Sequence, residues 1–420
     1  MSGQAVQPGR AATAANSAIS ATSADRWARA GLSRLVEPGD PRLASLVADL
    51  GAVEVLAWLR EGRDLGGLFP DVAERLEDLD PERELDLAQR QGIRFVVPGD
   101  EEWCSSLDDL AAAAPLHRRG GPPLGLWVRG PLRLRELGVG VAVVGSRSAT
   151  SYGTLVASRV AAGLAESGRP VISGAAFGID QAAHRGALGV QGPTAAVLAC
   201  GVDRAYPRAH RQLLDHLARH GAVISELPPG CAPTRVRFLA RNRLIAALGR
   251  GTVVVEAAVR SGALNTANWT DRVHRPVMGV PGPVSSAVSA GVHQLVRLGA
   301  ATLVTSAEEV LELVGGAGQH LVAEVRGSEG ERDRLALRHR QILDAVPVVT
   351  SASVASIART AGVATAEVQD GLRRLGELGL VTCDGTRWRL AGSVAAAAGP
   401  GSPGACPEGP PASEERWPEG

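Results

Sequence analysis

The spacing of apolar residues changes twice along this chain. From residue 25 to about 90 they recur every three or four positions, as in Leu43-Leu46-Val47-Leu50 and Val53-Leu56-Ala57, with Gly51 between the runs. That spacing is helical and predicts a small helical domain. Ile93 to Val97 and Leu126 to Val128 read as two short strands, joined by a loop with Pro122 and Pro123. From about 136 to 315, short continuous Val/Ile/Ala runs alternate with helical stretches. The runs at 139–144, 170–173, 194–199, 221–225, 251–255, 276–280 and 301–304 predict strands; 153–167, 180–189, 208–220, 237–248 and 262–273 predict helices. Strands that are apolar throughout and joined by helical crossovers form a parallel sheet covered on both faces. The expected fold class is therefore α/β: an extended Rossmann-like, mainly parallel sheet with helices on both faces.

Beyond it the pattern changes again. Residues 316–332 are rich in Gly and charge and read as a linker. Residues 333–391 carry three short helical patterns, near 335–345, 353–361 and 365–378. A hairpin follows from Leu380 to Leu390, turning at Asp384-Gly385. That order predicts a C-terminal winged helix. The termini, 1–24 and 392–420, are Ala/Gly/Ser/Pro-rich and are expected to be disordered. The expected domains are thus 25–90, 91–315 and 333–391.

Composition narrows the chemistry. Formal net charge is zero over 420 residues, so a nucleic-acid site must be a local patch. All 44 Lys-plus-Arg residues are arginine. With no lysine there is no Walker A, Schiff-base or pyridoxal-phosphate lysine. The five cysteines (Cys104, Cys200, Cys231, Cys383, Cys406) share no close spacing, which argues against a zinc site and a disulfide scaffold. No run is long and apolar enough for a bilayer span, and the first 23 residues lack the apolar core of a secretory signal. The expected location is cytoplasmic, and no cofactor or metal is expected.

Candidate chemistry gathers at the predicted strand ends. Gly145-Ser146-Arg147 follows the first parallel strand and precedes a helix, the arrangement that turns backbone N–H groups toward phosphate. It is not the G-x-G-x-x-G dinucleotide fingerprint, because Arg147 stands where a second Gly would be. Ser173, Gly174, Phe177 and Gly178 form a second such turn, with Asp180 placed to cap the next helix. A third cluster comprises Arg235, Arg237, Arg241, Asn242 and Arg243, with no acidic residue between Pro228 and Glu256. Arg237 and Arg241 share a helix face at i,i+4, where like charges repel unless an anion neutralises them. The competing expectation is pairing with acids elsewhere, Glu226 or Glu256. Tyr152, Phe177, Tyr206 and Phe238 lie beside these loops, as bases stacking on aromatic rings would require, or as loop packing would.

Catalytic alternatives are weaker. Ser173, Asp180 and His184 could form a triad, but Ser173 lacks the G-x-S-x-G elbow. Gly249 to Glu256 resembles the G-G-x-G-T-x-x-E signature of Rossmann-like phosphoribohydrolases, with one extra residue before Glu256. A nucleotide N-glycoside hydrolase using Glu256 is the enzyme alternative; a structural Glu paired with the arginine cluster is preferred. His216 and His220 have ligand spacing without an H-E-x-x-H frame and read as a solvated helix face.

Taken in order, the motifs resemble the DNA-processing protein A family (DprA, or Smf) from about residue 90 to 315. They include Val141 to Arg147 with Tyr152-Gly153, Ser173 to Asp180, Ala196 to Asp203 with Tyr206-Pro207, Ser225 to Gly230, Phe238 to Ala246, Ser261 to Leu264 with Thr266-Ala267, and Val280 to Gly282. The resemblance implies a non-enzymatic single-stranded DNA binder. Such a protein protects incoming DNA, dimerises through the Rossmann-like domain, and helps load the RecA recombinase in natural transformation and recombination. It implies DNA contacts from Gly145, Ser146, Arg147, Ser173, Gly174, Phe177, Gly178, Arg237, Arg241, Asn242, Arg243, Ser261 and Thr266. Phe177 departs from the family, where a basic residue is common. The helical segment is similar to the family's SAM or helix-hairpin-helix accessory. The winged helix alone could instead serve a duplex-DNA regulator.

Overall fold

The computed structural model describes residues 22–321, 330 and 332–392. Nearly all of the two termini expected to be disordered, the middle of the expected linker, and Cys406 lie outside the described residues. The chain divides into two compact units, Met1–Val322 and Ala323–Gly420. The helical segment and the sheet both lie within the first unit.

Five helices open the first unit: α1 (Ser23–Leu35), α2 (Pro41–Leu50), α3 (Ala52–Arg60), α4 (Leu68–Leu76) and α5 (Pro81–Arg90). Two begin Asp-Pro. The Asp40 and Asp80 side chains accept backbone N–H bonds, and the prolines occupy a first turn that needs no donor. Gly51, at φ 85°, separates α2 from α3, as the sequence punctuation predicts.

The sheet has nine strands: β1 (Ile93–Val96), β2 (Leu126–Arg129), β3 (Val141–Val144), β4 (Val171–Ser173), β5 (Thr194–Val197), β6 (Ala222–Ser225), β7 (Thr252–Val254), β8 (Val277–Gly279) and β9 (Thr302–Leu303). Their spatial order is β1-β2-β6-β5-β4-β3-β7-β8-β9. All pairs from β6 to β9 are parallel; β1 and β2 extend the sheet antiparallel. Helices α6 (Ser151–Glu166), α7 (Ile179–Gly189), α8 (Arg211–His220), α9 (Arg235–Leu248), α10 (Gly262–Arg272), α11 (Ala290–Arg297) and α12 (Ala307–Val314) follow the parallel strands.

Alternation along β3 shows how both faces are filled. Val141 and Val143 pack with α6, α7 and α12; Ala142 and Val144 pack with α9 and α10. This explains why the strands read as continuous apolar runs. The stretch expected as one helix from 208 is a 3-10 turn, Arg208–His210, leading into α8. Helix α9 starts at Arg235, because the Thr234 hydroxyl accepts the Arg237 N–H and fixes the first turn. Helices α11 and α12 were not expected as separate elements.

The second unit contains α13 (Leu337–Asp344), β10 (Ala352–Ser353), α14 (Val354–Ala361), α15 (Thr365–Glu377), β11 (Val381–Asp384) and β12 (Arg387–Leu390). Its antiparallel sheet runs β10-β12-β11 around a core that includes Ile342, Ile357, Val368, Leu372 and Leu375. Asp384 faces Arg387, so Gly385, at φ 62°, and Thr386 make the hairpin turn.

Candidate nucleic-acid interface

The chain leaves β3 toward β4, β5 and β6 on one side and returns to β7 on the other. The carboxyl ends of β3 and β7 therefore flank a topological switch point, where open α/β sheets hold ligands. Three loops meet there. The Ser146 N–H donates to the Glu256 carbonyl (2.7 Å), and the Ile179 N–H donates to the Ser146 carbonyl (3.2 Å). Gly178 has φ 76°, and a side chain there would strike the Ser146 carbonyl. Glycine is thus required both by conformation and by the approach of one loop to the other.

The resulting cleft, about 690 Å³, is lined by Ser146, Arg147, Arg235, Arg241, Asn242 and Arg260, with Ser261 and Thr266 at the start of α10. Ser146 and Ser261 also organise their turns: their hydroxyls accept the Ser148 N–H (3.2 Å) and the Ala263 N–H (3.3 Å). Asn242 is held by the Asn265 side chain (3.2 Å) and the Gly262 carbonyl (3.3 Å). At the centre stands Phe238. The guanidinium carbons of Arg147 and Arg241 lie 4.9 and 5.7 Å from its ring centroid, and the Tyr206 ring lies 5.6 Å away.

Arg147 is exposed, whereas Arg241 is buried in the cleft floor. Arg241 donates to the Val197 carbonyl (2.8 Å), and its Nε has no protein partner. Burial pulls this guanidinium down to about 10; Asp180 opposes that shift and Arg147 adds to it. Gly174 makes room for the group, since a Cβ there would overlap the guanidinium. Asp180 does not act as a cap residue. It sits in the first turn of α7 and accepts the Gly174 and Ala176 N–H groups (3.1 and 3.3 Å), which holds the second loop closed. Burial raises its carboxyl above the usual range, with Arg241 as the leading opposing influence. Phe177 is exposed and packs edge-on against His210 at 4.6 Å.

Three expected contacts are corrected. Ser173 is buried, and its hydroxyl donates to the Val143 carbonyl (2.7 Å), so it braces neighbouring strands instead of facing the cleft. Arg237 turns to the helical segment and grips both Glu37 carboxylate oxygens (2.8 and 2.7 Å). Arg243 is fully buried on both carboxylate oxygens of Glu226 (2.7 Å each), with Nε donating to the Gly121 carbonyl. Helix α9 is buried from Ala240 to Leu248, so the Arg243 charge needs a fixed partner there; Arg237 lies in the part-exposed first turn, where Glu37 comes within reach.

The catalytic alternatives also change. Glu256 is buried, and its carboxylate accepts both the N–H and the hydroxyl of Thr150, against the start of α6. The expected pairing with the arginine cluster is replaced by a cap on the first loop. Ser173 and His184 have separate partners: His184 Nδ1 is 2.8 Å from the Thr194 hydroxyl. His216 and His220 stack on each other on α8. Among the described residues no three His, Cys, Asp or Glu side chains are placed to hold a metal ion, and no helix is long and apolar enough to cross a membrane. Arg260 was missed by sequence reasoning. Its signal was present, since it follows β7 and precedes the Ser261 cap by the same strand-end logic as Arg147.

The chain is thus an α/β protein with a Rossmann-like sheet and an arginine-lined cleft at its switch point. Residues 94–315 match the family model of DNA recombination-mediator protein A. A Mycobacterium tuberculosis protein named "Putative DNA processing protein DprA" is 44% identical over 381 residues, 90% of this chain and 97% of that one. The DNA processing protein DprA of Bacillus subtilis is 35% identical over 227 residues, 53% of this chain and 72% of that one. The X-ray structure of DprA from Streptococcus pneumoniae superposes with a TM-score of 0.57 at 30% identity, covering 70% of this chain and 98% of that one. The chain belongs to the DprA family of DNA recombination mediators.

Proposed function

We propose that this protein binds single-stranded DNA in the cleft between the ends of β3 and β7, without catalysing a reaction. Phe238 carries this assignment. A half-exposed ring flanked by two guanidiniums offers a base a stacking face and its phosphates two positive charges. The Ser146 loop and the Ser261 start of α10 add hydroxyls and backbone dipoles. Of the sequence-derived contacts, Gly145, Ser146, Arg147, Gly174, Phe177, Gly178, Arg241, Asn242, Ser261 and Thr266 are retained in contact or shaping roles, joined by Arg235 and Arg260. Gly145 and Gly178 serve by letting the loops approach.

Family membership supports the wider role: a cytoplasmic homodimer that protects incoming single strands and helps load RecA during transformation and recombination. Leu298 and Leu303, exposed near the β9 edge, support an apolar dimer face in the Rossmann-like unit. The helix and strand order of the second unit supports a winged helix. The Glu256 carboxylate is engaged by Thr150, which supports the non-catalytic reading over the nucleotide hydrolase.

The test is binding of labelled single-stranded and duplex oligonucleotides across a salt series. The wild type is expected to prefer single strands. Arg147→Ala is expected to weaken binding and lower the slope of log affinity against log salt by about 0.7, the loss of one phosphate contact. An unchanged slope in Arg147→Ala would place the DNA elsewhere.

A further inference from the structure

Two more hollows open beside the cleft, and Tyr206 borders all three. One, about 300 Å³, runs from Arg147 and Phe238 past Phe177 to Arg208. The next, about 340 Å³, lies between Tyr206 and the side chains of Arg204, Arg208 and Arg211. Tyr206 and Phe177 are exposed, at 43% and 46%. Both are bulky rings left open to solvent in a chain with only 3% aromatic residues.

Charge follows the same route. Arg204, Arg208 and Arg211 are exposed, and among the described residues none lies within 4 Å of a carboxylate. Two acids lie beside them: Asp203 has its Oδ1 taken by the Gly230 N–H (2.9 Å), and Asp215, which borders a hollow with Arg204 and Arg211, lies 3.9 Å from the Arg129 guanidinium. Exposed arginines elsewhere are often paired, as Arg135 is with Glu101 and Arg374 with Glu377. Three unpaired like charges within one short segment repel each other, and an extended polyanion would relieve that repulsion.

We infer that Arg204, Arg208 and Arg211 form a second subsite for the same DNA strand, entered from the cleft around Tyr206. The inference rests on the assignment of the cleft to single-stranded DNA. The chemistry is that of a stacking platform followed by a positive groove. Successive bases would meet Phe238, Tyr206 and Phe177, while phosphates pass from Arg147 to Arg208 and then to Arg204 and Arg211. Duplex DNA cannot follow this path, because rounding one ring requires unstacked, splayed bases.

The experiment measures affinity of oligothymidylates of roughly 4 to 16 nucleotides, the span of known single-strand site sizes. It compares the wild type, Arg147→Ala, and the triple variant Arg204→Ala/Arg208→Ala/Arg211→Ala. A triple variant with the same charge change, Arg75→Ala/Arg83→Ala/Arg90→Ala, controls for net charge. The subsite triple is expected to bind the shortest oligomer as the wild type does. For long oligomers its salt slope should fall by about 2, three phosphate contacts at about 0.7 each. For a fourfold rise in salt the wild type should therefore lose about 16-fold more affinity than the triple variant, whose affinity is lower at low salt. The inference is overturned if the long-oligomer slope is unchanged, if short and long oligomers weaken alike, or if the control triple has the same effect. Failure of the cleft assignment looks different: Arg147→Ala would then leave every length unaffected.

Discussion

The Arg243 guanidinium and the Glu226 carboxylate form a two-pronged ion pair, 2.7 Å at each contact, with Arg243 shut off from solvent. A loop glycine, Gly39, lies against the same guanidinium, and the Gly121 carbonyl takes its Nε–H. One charged pair thereby fastens α9, the end of β6 and the helical segment together.

Truncating this arginine should cost stability before it affects DNA. Arg243→Ala leaves Glu226 buried without a counter-charge, an effect of about 3–5 kcal/mol. Urea unfolding is the measurement. The double variant Arg243→Met/Glu226→Leu should recover most of the loss, since no charge is left stranded. A wild-type midpoint for Arg243→Ala would mean that the pair contributes nothing.

Gly174 and Gly178 should fail in different ways. Gly178→Ala must accept a positive φ and displace the Ser146 carbonyl, so the loops separate and thermal stability falls by more than about 1 kcal/mol. Gly174→Ala has an ordinary backbone but pushes on the Arg241 guanidinium. It should lower single-strand affinity more than stability. Equal DNA binding by Gly174→Ala and wild type would remove Arg241 from the site.

His184 gives the protein an acid-sensitive core. Thr194 donates its hydroxyl hydrogen to the Val171 carbonyl (2.8 Å), so the hydrogen between Thr194 and His184 Nδ1 belongs to the histidine. Its Nε2 has no partner, and burial pulls the imidazole down to about 3. The unfolded chain therefore binds a proton between pH 6.5 and about 3 that the folded chain refuses. Stability is complete above 6.5 and falls toward 3 at up to about 1.4 kcal/mol per pH unit. Chemical denaturation from pH 7 to 4 should show this slope in the wild type and a shallower one in His184→Gln.

Glu256→Gln should act on the first loop alone. The amide oxygen can accept the Thr150 N–H, but the amide NH2 then faces the Thr150 hydroxyl, whose own hydrogen is left without its acceptor. A loss of about 1–3 kcal/mol follows from the unmatched groups. No base should be released from nucleoside monophosphates by either protein. Release by the wild type that disappears in Glu256→Gln would restore the hydrolase reading.

What the sequence determined is local. The parallel strands were legible because a strand covered on both faces must be apolar throughout, and Val141 to Val144 show that requirement in four letters. The Gly145-Ser146-Arg147 turn and the Gly178 bend were legible because backbone conformation and strand-end position restrict residue choice strongly. Strand β10 was missed because two residues, Ala352 and Ser353, carry no period.

The arginines of α9 show what only the tertiary structure decided. Arg237, Arg241 and Arg243 look alike along the chain, yet one reaches Glu37, one floors the cleft and one is buried on Glu226. Their partners lie 200, 44 and 17 residues away. Helical spacing tells which side of its own helix a side chain leaves from, but not what the fold has placed opposite. For charged groups in a buried helix, that opposing element determines whether the charge holds the protein together or remains available for DNA.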